Sequence, residues 1–307
     1  MKQLKIRDQG PDVVTLQTKL GITADGIFGP NTEKHVKRFQ LAHNLPVDGI
    51  VTNDAWVILL NLQVSEPDEI DEDSDIYAQH YLTNYDQIIH RHFLPKGEYV
   101  RRTNCINEYV FLHHTAGNAN PYACIDYWGR DTRGRVATEF VLGGQNHRTG
   151  SDEYDGIMVQ AFPEGNQGFH LGKTGSGHMN RNSVGLEICN MGYLTNGNLT
   201  YVKSRCIHSQ IIELKEPFRG SLYWHNYSEN QIKETEKWLR YIGERDGIDI
   251  RLGLKQFIQK HGPTKGFDFN SDAYYGKVKG LLTHTNVRKD KTDCYPHPDL
   301  VDMIMSL

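Results

Sequence analysis

The sequence has no run approaching the ~18 consecutive apolar residues of a membrane-spanning helix, which excludes a helical integral membrane protein. Its opening stretch, MKQLKIRDQGPD, carries no apolar core, so no cleaved export signal is expected and synthesis in the cytoplasm is. Neither sign of charge dominates: 34 Lys and Arg against 38 Asp and Glu leave a formal net charge of -4. That balance gives no electrostatic footprint for general nucleic-acid binding. Cysteine is sparse, with five residues at 105, 124, 189, 206 and 294. An odd, scattered set is no disulfide framework and fits a reducing compartment of synthesis. What is present is a 307-residue chain, 38% hydrophobic and 10% aromatic, long enough for two domains. Its 15 histidines point towards metal or proton chemistry.

The first 62 residues read as three short helices. Val13, Leu16 and Leu20 recur at helical spacing, as do Val36 and Phe39, and then Ala55, Trp56, Leu59 and Leu60. Between them lie two similar turns, Asp25-Gly26-Ile27 and Asp48-Gly49-Ile50, each followed by a helix. Asp-Gly favours a tight turn because glycine tolerates positive φ and aspartate bonds its own backbone. Pro30 suits the first turn of the next helix, and Thr52 is a plausible N-cap. The repetition suggests a duplicated half-motif.

Residues 63–76 include Glu66, Asp68, Glu69, Asp71, Glu72, Asp73 and Asp75, a self-repelling acidic run that reads as a linker. From 77 to 307 strand and helix signals mix. Tyr109-Val110-Phe111-Leu112 is expected as a buried central strand, Thr138–Leu142 as a strand ending at Gly143-Gly144, and Val184–Cys189 as another. Ser228 followed by Gln231 is a capping box that opens a helix running to about Arg245. The fold class is therefore a small all-α N-terminal domain plus an α/β domain with a central mixed sheet flanked by helices.

Three segments of the second domain carry chemistry. His113-His114-Thr115 ends the first strand, Asn182–Glu187 runs into another, and Thr283–Asn286 is followed by Lys291-Thr292-Asp293-Cys294. A catalytic zinc takes three nitrogen, sulfur or oxygen ligands and leaves one position for water. Each residue alone has a plainer reading, as a bonded structural histidine or an inert core thiol. Glu187 stands apart, because a carboxylate inside an apolar strand must face a site or have a partner.

Two resemblances organise these residues. The segment 5–61 resembles the peptidoglycan-binding domain found beside cell-wall hydrolases, through Gly10-x-x-Val13-x-x-Leu16-Gln17, Asp25-Gly26-x-Phe28-Gly29, Val36-x-x-Phe39-Gln40 and Leu45-x-Val47-Asp48-Gly49. Residues from about 105 to 300 resemble the zinc-dependent N-acetylmuramoyl-L-alanine amidases, which include phage lysozyme-type amidases and peptidoglycan recognition proteins. That resemblance implies His113, His284 and Cys294 as zinc ligands, with Asp293 the alternative third ligand through Lys291-Thr292-Asp293. Cys294 is preferred here because thiolate binds zinc well and Pro296 follows it. Asn182–Glu187 is similar to the family's Asn-Ser-Ile-Gly-Ile-Glu strand and makes Glu187 the acid/base; Lys291 or Thr292 helps hold the oxyanion. Gly168–Gly172 resembles the groove-lining Trp-His-Ala-Gly, so His170, Thr138 and Asn182 are expected at the substrate. Glu139 stands where many members have histidine, which shifts the proton chemistry onto Glu187. Residues 250–282, with Tyr274 and Tyr275, look like an insertion near the site.

The expected activity is hydrolysis of the amide between N-acetylmuramic acid and L-alanine by a phage endolysin-like enzyme. Its partner is bacterial peptidoglycan, reached in the periplasm or wall after release or injection. A phage particle component and an injected effector fit the same residues. Two competing functions are a muropeptide binder of the same fold and a wall cysteine peptidase using Cys294 with His284.

Overall fold

The computed structural model describes residues 2–43, 45–61, 85–102 and 106–307, so the acidic linker expected at 63–76 lies outside the described residues. The chain divides into two compact units, Met1–Ile89 and His90–Leu307.

The first unit holds α1 (Pro11–Lys19), α2 (Pro30–Ala42) and α3 (Asn53–Asn61). Leu4, Val13, Leu16, Phe28, Val36, Val51, Ala55, Trp56 and Leu59 form its core, as the helical spacing predicts, whereas Leu60 stays 46% exposed. The duplication is a duplicated hydrogen-bond device. The Gln17 amide donates to Asp25 Oδ1 at 2.7 Å and to the Ile27 carbonyl at 3.0 Å, and its carbonyl accepts from Gly26 N at 2.8 Å. Gln40 does the same with Asp48 at 2.8 Å, the Ile50 carbonyl at 2.9 Å and Gly49 N at 2.8 Å. Gly26 and Gly49 both sit at φ 75°, which explains glycine at each copy. A buried glutamine is tolerated because all its polar groups are paired.

The second unit is built on a six-stranded sheet of order β1-β5-β4-β7-β3-β10. The strands are β1 (His90–Arg91), β3 (Tyr109–His114), β4 (Phe140–Leu142), β5 (Met158–Gln160), β7 (Ser183–Ile188) and β10 (Gly280–Thr283). β2 (Val100–Arg101) pairs with β6 (Asn166–Gln167), and β8 (Ile211–Phe218) with β9 (Ser221–His225), as separate two-stranded ribbons. The β5–β4 pair is antiparallel and the other pairs of the main sheet are parallel, so the sheet is mixed. All six residues of β3 are buried, as expected of a central strand covered on both faces.

The long helices of this unit are α4 (Pro121–Trp128), α5 (Glu229–Asp246), α6 (Leu254–His261) and α7 (Pro298–Ser306). The Ser228–Gln231 capping box forms, and α5 ends at Gly247 in the left-handed region. Trp238, Leu239 and Ile242 are the buried stripe of α5. Glu139 is turned towards this helix: Arg245 Nη1 donates to it at 2.8 Å and Gln160 Nε2 at 3.1 Å. Its role is a buried ion pair rather than proton chemistry. Parallel strands β7, β3 and β10 bring their C-terminal ends to one edge, where open α/β sheets place ligands.

Candidate metal centre

That edge carries the candidate ligands. His113 lies near the C-terminal end of β3, His284 follows β10 directly, and His113 pairs in register with Glu187 of β7. The remaining ligand comes from the loop after His284. Three atoms converge: His113 Nδ1 and His284 Nδ1 are 3.1 Å apart, and Asp293 Oδ2 lies 3.1 Å from the first and 2.9 Å from the second. Among the described residues, His113, His284 and Asp293 are the group able to hold a metal ion.

The far side of each imidazole fixes which nitrogen is free. His284 Nε2 donates to the Leu171 carbonyl at 3.4 Å, so its proton sits there and Nδ1 keeps a lone pair. His113 Nε2 lies 2.9 Å from His170 Nδ1, and His170 Nε2 lies 2.9 Å from Ser183 Oγ. With Nδ1 of His113 left for a metal, this chain donates in one direction, from His113 through His170 to the serine hydroxyl. His170 therefore uses both ring nitrogens internally and has none left for a substrate. Gly185 makes room for it, since a Cβ there would lie 3.1 Å from His170 Nδ1 and 2.8 Å from Thr138 Cγ2.

The electrostatics match a cation site. Burial pushes His113 down to about 4, against the opposing pull of Asp293, so the ring is neutral at pH 7. Burial alone would raise the Asp293 carboxyl, yet the two imidazoles hold it well below its usual range and keep it ionised. A neutral His113 ring beside an ionised Asp293 carboxylate suits metal binding, which needs deprotonated ligand atoms.

The model for N-acetylmuramoyl-L-alanine amidase matches residues 102–293, nearly two thirds of the chain. The chain belongs to this amidase family. A second model, for a putative peptidoglycan binding domain, matches residues 9–59. Among solved structures, the catalytic domain of XlyA is 15% identical, with 71% of this chain and 97% of that chain covered and a TM-score of 0.39. PlyL gives 13%, 67%, 85% and 0.35. The N-acetylmuramoyl-L-alanine amidase LysC from Clostridium intestinale URNW gives 14%, 66%, 85% and 0.34. With identities this low and superpositions this loose, the family model is what assigns the chain. The activity is hydrolysis of the glycan–peptide amide of peptidoglycan.

Around this centre the amidase places the remaining expected residues differently from one another. Glu187 is beside it: burial pushes its carboxyl well up, the charge of Asp293 adds to that, and Lys291 opposes it. The positive charge of Lys291 also lowers His113. Thr292 instead lines a separate groove with Tyr193, Arg219 and Tyr223. Cys294, preferred as a ligand from the sequence, is not among the converging atoms. It is fully buried, its thiol raised by burial and hydrogen-bonded to Tyr227, which leaves neither a ligand nor a nucleophile at the surface. Of the two neighbours it is Asp293 whose carboxylate reaches the imidazoles.

Two expected substrate contacts also lie elsewhere. Asn182 precedes β7 at the end opposite Glu187, where its amide donates to the Ile106 carbonyl at 2.8 Å. Thr138 is 1% exposed and donates to the Phe140 carbonyl. Residues with no role assigned from the sequence do matter. Asn286 accepts from Thr283 N at 3.0 Å and donates to the Gly266 and Asp268 carbonyls at 2.9 Å, while Thr285 Oγ1 donates to the Phe267 carbonyl at 2.6 Å. These bonds lock the turn that presents His284 onto the 263–268 segment. Their signal was the polar Thr-His-Thr-Asn directly after an apolar strand.

Proposed function

We propose that His113, His284 and Asp293 hold a zinc ion, and that this centre cleaves the amide between N-acetylmuramic acid and L-alanine. The observation carrying this is the convergence of two Nδ1 atoms and one carboxylate oxygen, with both imidazoles oriented from behind by internal hydrogen bonds. Zinc in such a set supplies a Lewis acid that polarises the scissile carbonyl and makes a nearby water more acidic.

The rest falls to the chain. Glu187 takes a proton from the attacking water as the new C–O bond forms. Its raised pKa makes it a competent donor when the C–N bond breaks, and the proton passes to the departing alanine nitrogen. Lys291 places a positive charge beside Glu187 and His113, where negative charge gathers on the carbonyl oxygen. The N-terminal unit holds the enzyme on peptidoglycan.

The test is zinc content per chain together with release of free L-alanine amino termini from purified sacculi, run beside Glu187→Gln. Zinc near one per chain, new alanine termini, and a variant that keeps metal while losing about 10²–10⁴ in rate is the expected result. A variant with full activity removes Glu187 from the mechanism. Metal bound with no cleavage of any wall type overturns the hydrolase assignment in favour of a muropeptide binder.

A further inference from the structure

The β8–β9 hairpin closes on a two-residue turn, Arg219–Gly220, with Phe218 paired to Ser221. Both turn residues have positive φ, 50° and 82°. Such turns favour Asn-Gly or Asp-Gly, because the left-handed region is costly for most side chains. Arginine at the first position is therefore not explained by the turn itself. Its reason lies in what the guanidinium reaches.

Arg219 Nη1 donates to the Lys289 carbonyl at 2.6 Å, and Nη2 to the Thr285 carbonyl at 3.2 Å and to Asp268 Oδ1 at 2.8 Å. Its Nε–H is buried with no partner among the described residues, so the terminal nitrogens carry its placement. Thr285 directly follows His284, and Lys289 lies between His284 and Asp293 in the chain. Thr285 N also donates to the Asp293 carbonyl at 3.1 Å. One residue thus joins both ligands, His284 through the chain and Asp293 through a backbone bond, and Arg219 holds that residue by its carbonyl. A planar fork of donors can keep several acceptors in one geometry, which an ammonium on a flexible stem does less well.

We infer that Arg219 is a positioning residue for the metal ligands His284 and Asp293, clamping the loop between them from the β8–β9 turn; this rests on the zinc reading above. Thr285 and Asn286 fasten the start of that loop to the 263–268 segment. Arg219 adds an anchor at its middle, from a separate ribbon. His284 Nδ1 and Asp293 Oδ2 then stand 2.9 Å apart on a loop already ordered, so metal binding does not bear the entropy of ordering it.

Arg219→Asn is the variant to test, since Asn-Gly suits this turn and keeps the hairpin while removing the clamp. Zinc affinity of the full chain, read by competition with a chromophoric chelator, should fall about 10–100-fold, the loss expected when a group that orients a ligand is removed. In the metal-free chain, hydrogen exchange at the Thr285 and Arg288 amides should quicken about tenfold and stay unchanged in α5. Ile242→Val, in the buried stripe of α5, is the control. It should lower the melting temperature yet keep zinc affinity within twofold. A control that loses zinc as Arg219→Asn does marks the arginine as merely structural and overturns the inference. So does an Arg219→Asn chain that binds zinc within twofold of wild type, or whose loop amides exchange at the wild-type rate. Wild type taking up no zinc overturns the metal reading and the inference with it, an outcome told apart from the others because it is seen before any substitution.

Discussion

Replacing Asp293 and Cys294 in turn separates the two third-ligand assignments, and the structure sets the size of each effect. Asp293 Oδ2 lies within 3.1 Å of both imidazole Nδ1 atoms, so Asp293→Ala removes one of three converging donors. Loss of a residue that only orients a ligand costs about 10–100-fold in metal affinity. Loss of a ligand itself should exceed about 100-fold, or about 2.7 kcal/mol at 1.36 kcal/mol per decade. Cys294→Ala should leave metal affinity within a few-fold. Its cost is in packing, about 1–2 kcal/mol, because the sulfur is fully buried beside Tyr227 and leaves a small cavity. Zinc affinity is read by competition with a chromophoric chelator, and the gain in melting temperature on adding zinc is a second readout. Since that gain follows RT ln(1 + [L]/Kd), a 100-fold weaker site loses up to about 2.7 kcal/mol of it at saturating zinc. Retention of zinc by Asp293→Ala together with its loss from Cys294→Ala would refute the reasoning and restore the thiolate.

Three further outcomes follow from the same geometry. His170→Ala should weaken zinc binding about 10–100-fold without removing any ligand, measured by the same competition; unchanged affinity means the His113–His170–Ser183 chain does not orient the metal ligand. Stability should fall as pH drops from about 6.5 towards 4, because burial holds His225 at about 3 and His297 at about 4 while the unfolded chain takes up those protons near 6.5. The contribution is complete above the unfolded value and on the order of 3 kcal/mol per group, and urea titrations should show a flatter pH slope for His225→Asn. In the N-terminal unit, Gln40→Leu should cost about 2–4 kcal/mol by unpairing the Gly49 N–H and the Ile50 carbonyl; a melting transition of that unit unmoved by the change contradicts the glutamine's role.

Much of this protein was legible in its residues. The three-helix unit followed from apolar spacing, because a short helix survives only by burying one stripe, and Val13, Leu16, Val36 and Trp56 are that stripe. The capping box at Ser228 and the buried strand at Tyr109–Leu112 were local signals with local causes. The Asp-Gly-Ile repeat was visible too, as were Gln17 and Gln40, but not the bonds by which they tie each copy together, since Gln17 and its turn are eight residues apart in sequence. His113, His284 and Glu187 were marked by chemistry out of place, polar groups at the ends of apolar strands.

What the sequence left open was direction. Asp293 and Cys294 are neighbours, both able to bind zinc, and residue type cannot say which points inward. Only the fold decides, by burying the thiol against Tyr227 and turning the carboxylate towards two imidazoles. The same holds for Lys291 over Thr292, since the charge of Lys291 acts on Glu187 while Thr292 lines a separate groove, and for Asn182, carried by its strand to the end away from the centre. His170 resembled a groove residue, yet its two ring nitrogens are used inside the protein. Periodicity and turn chemistry are properties of a few consecutive residues, so the sequence determines them by itself. Which side chains converge on a point is set by strand register and loop path, and these exist only once the chain is packed.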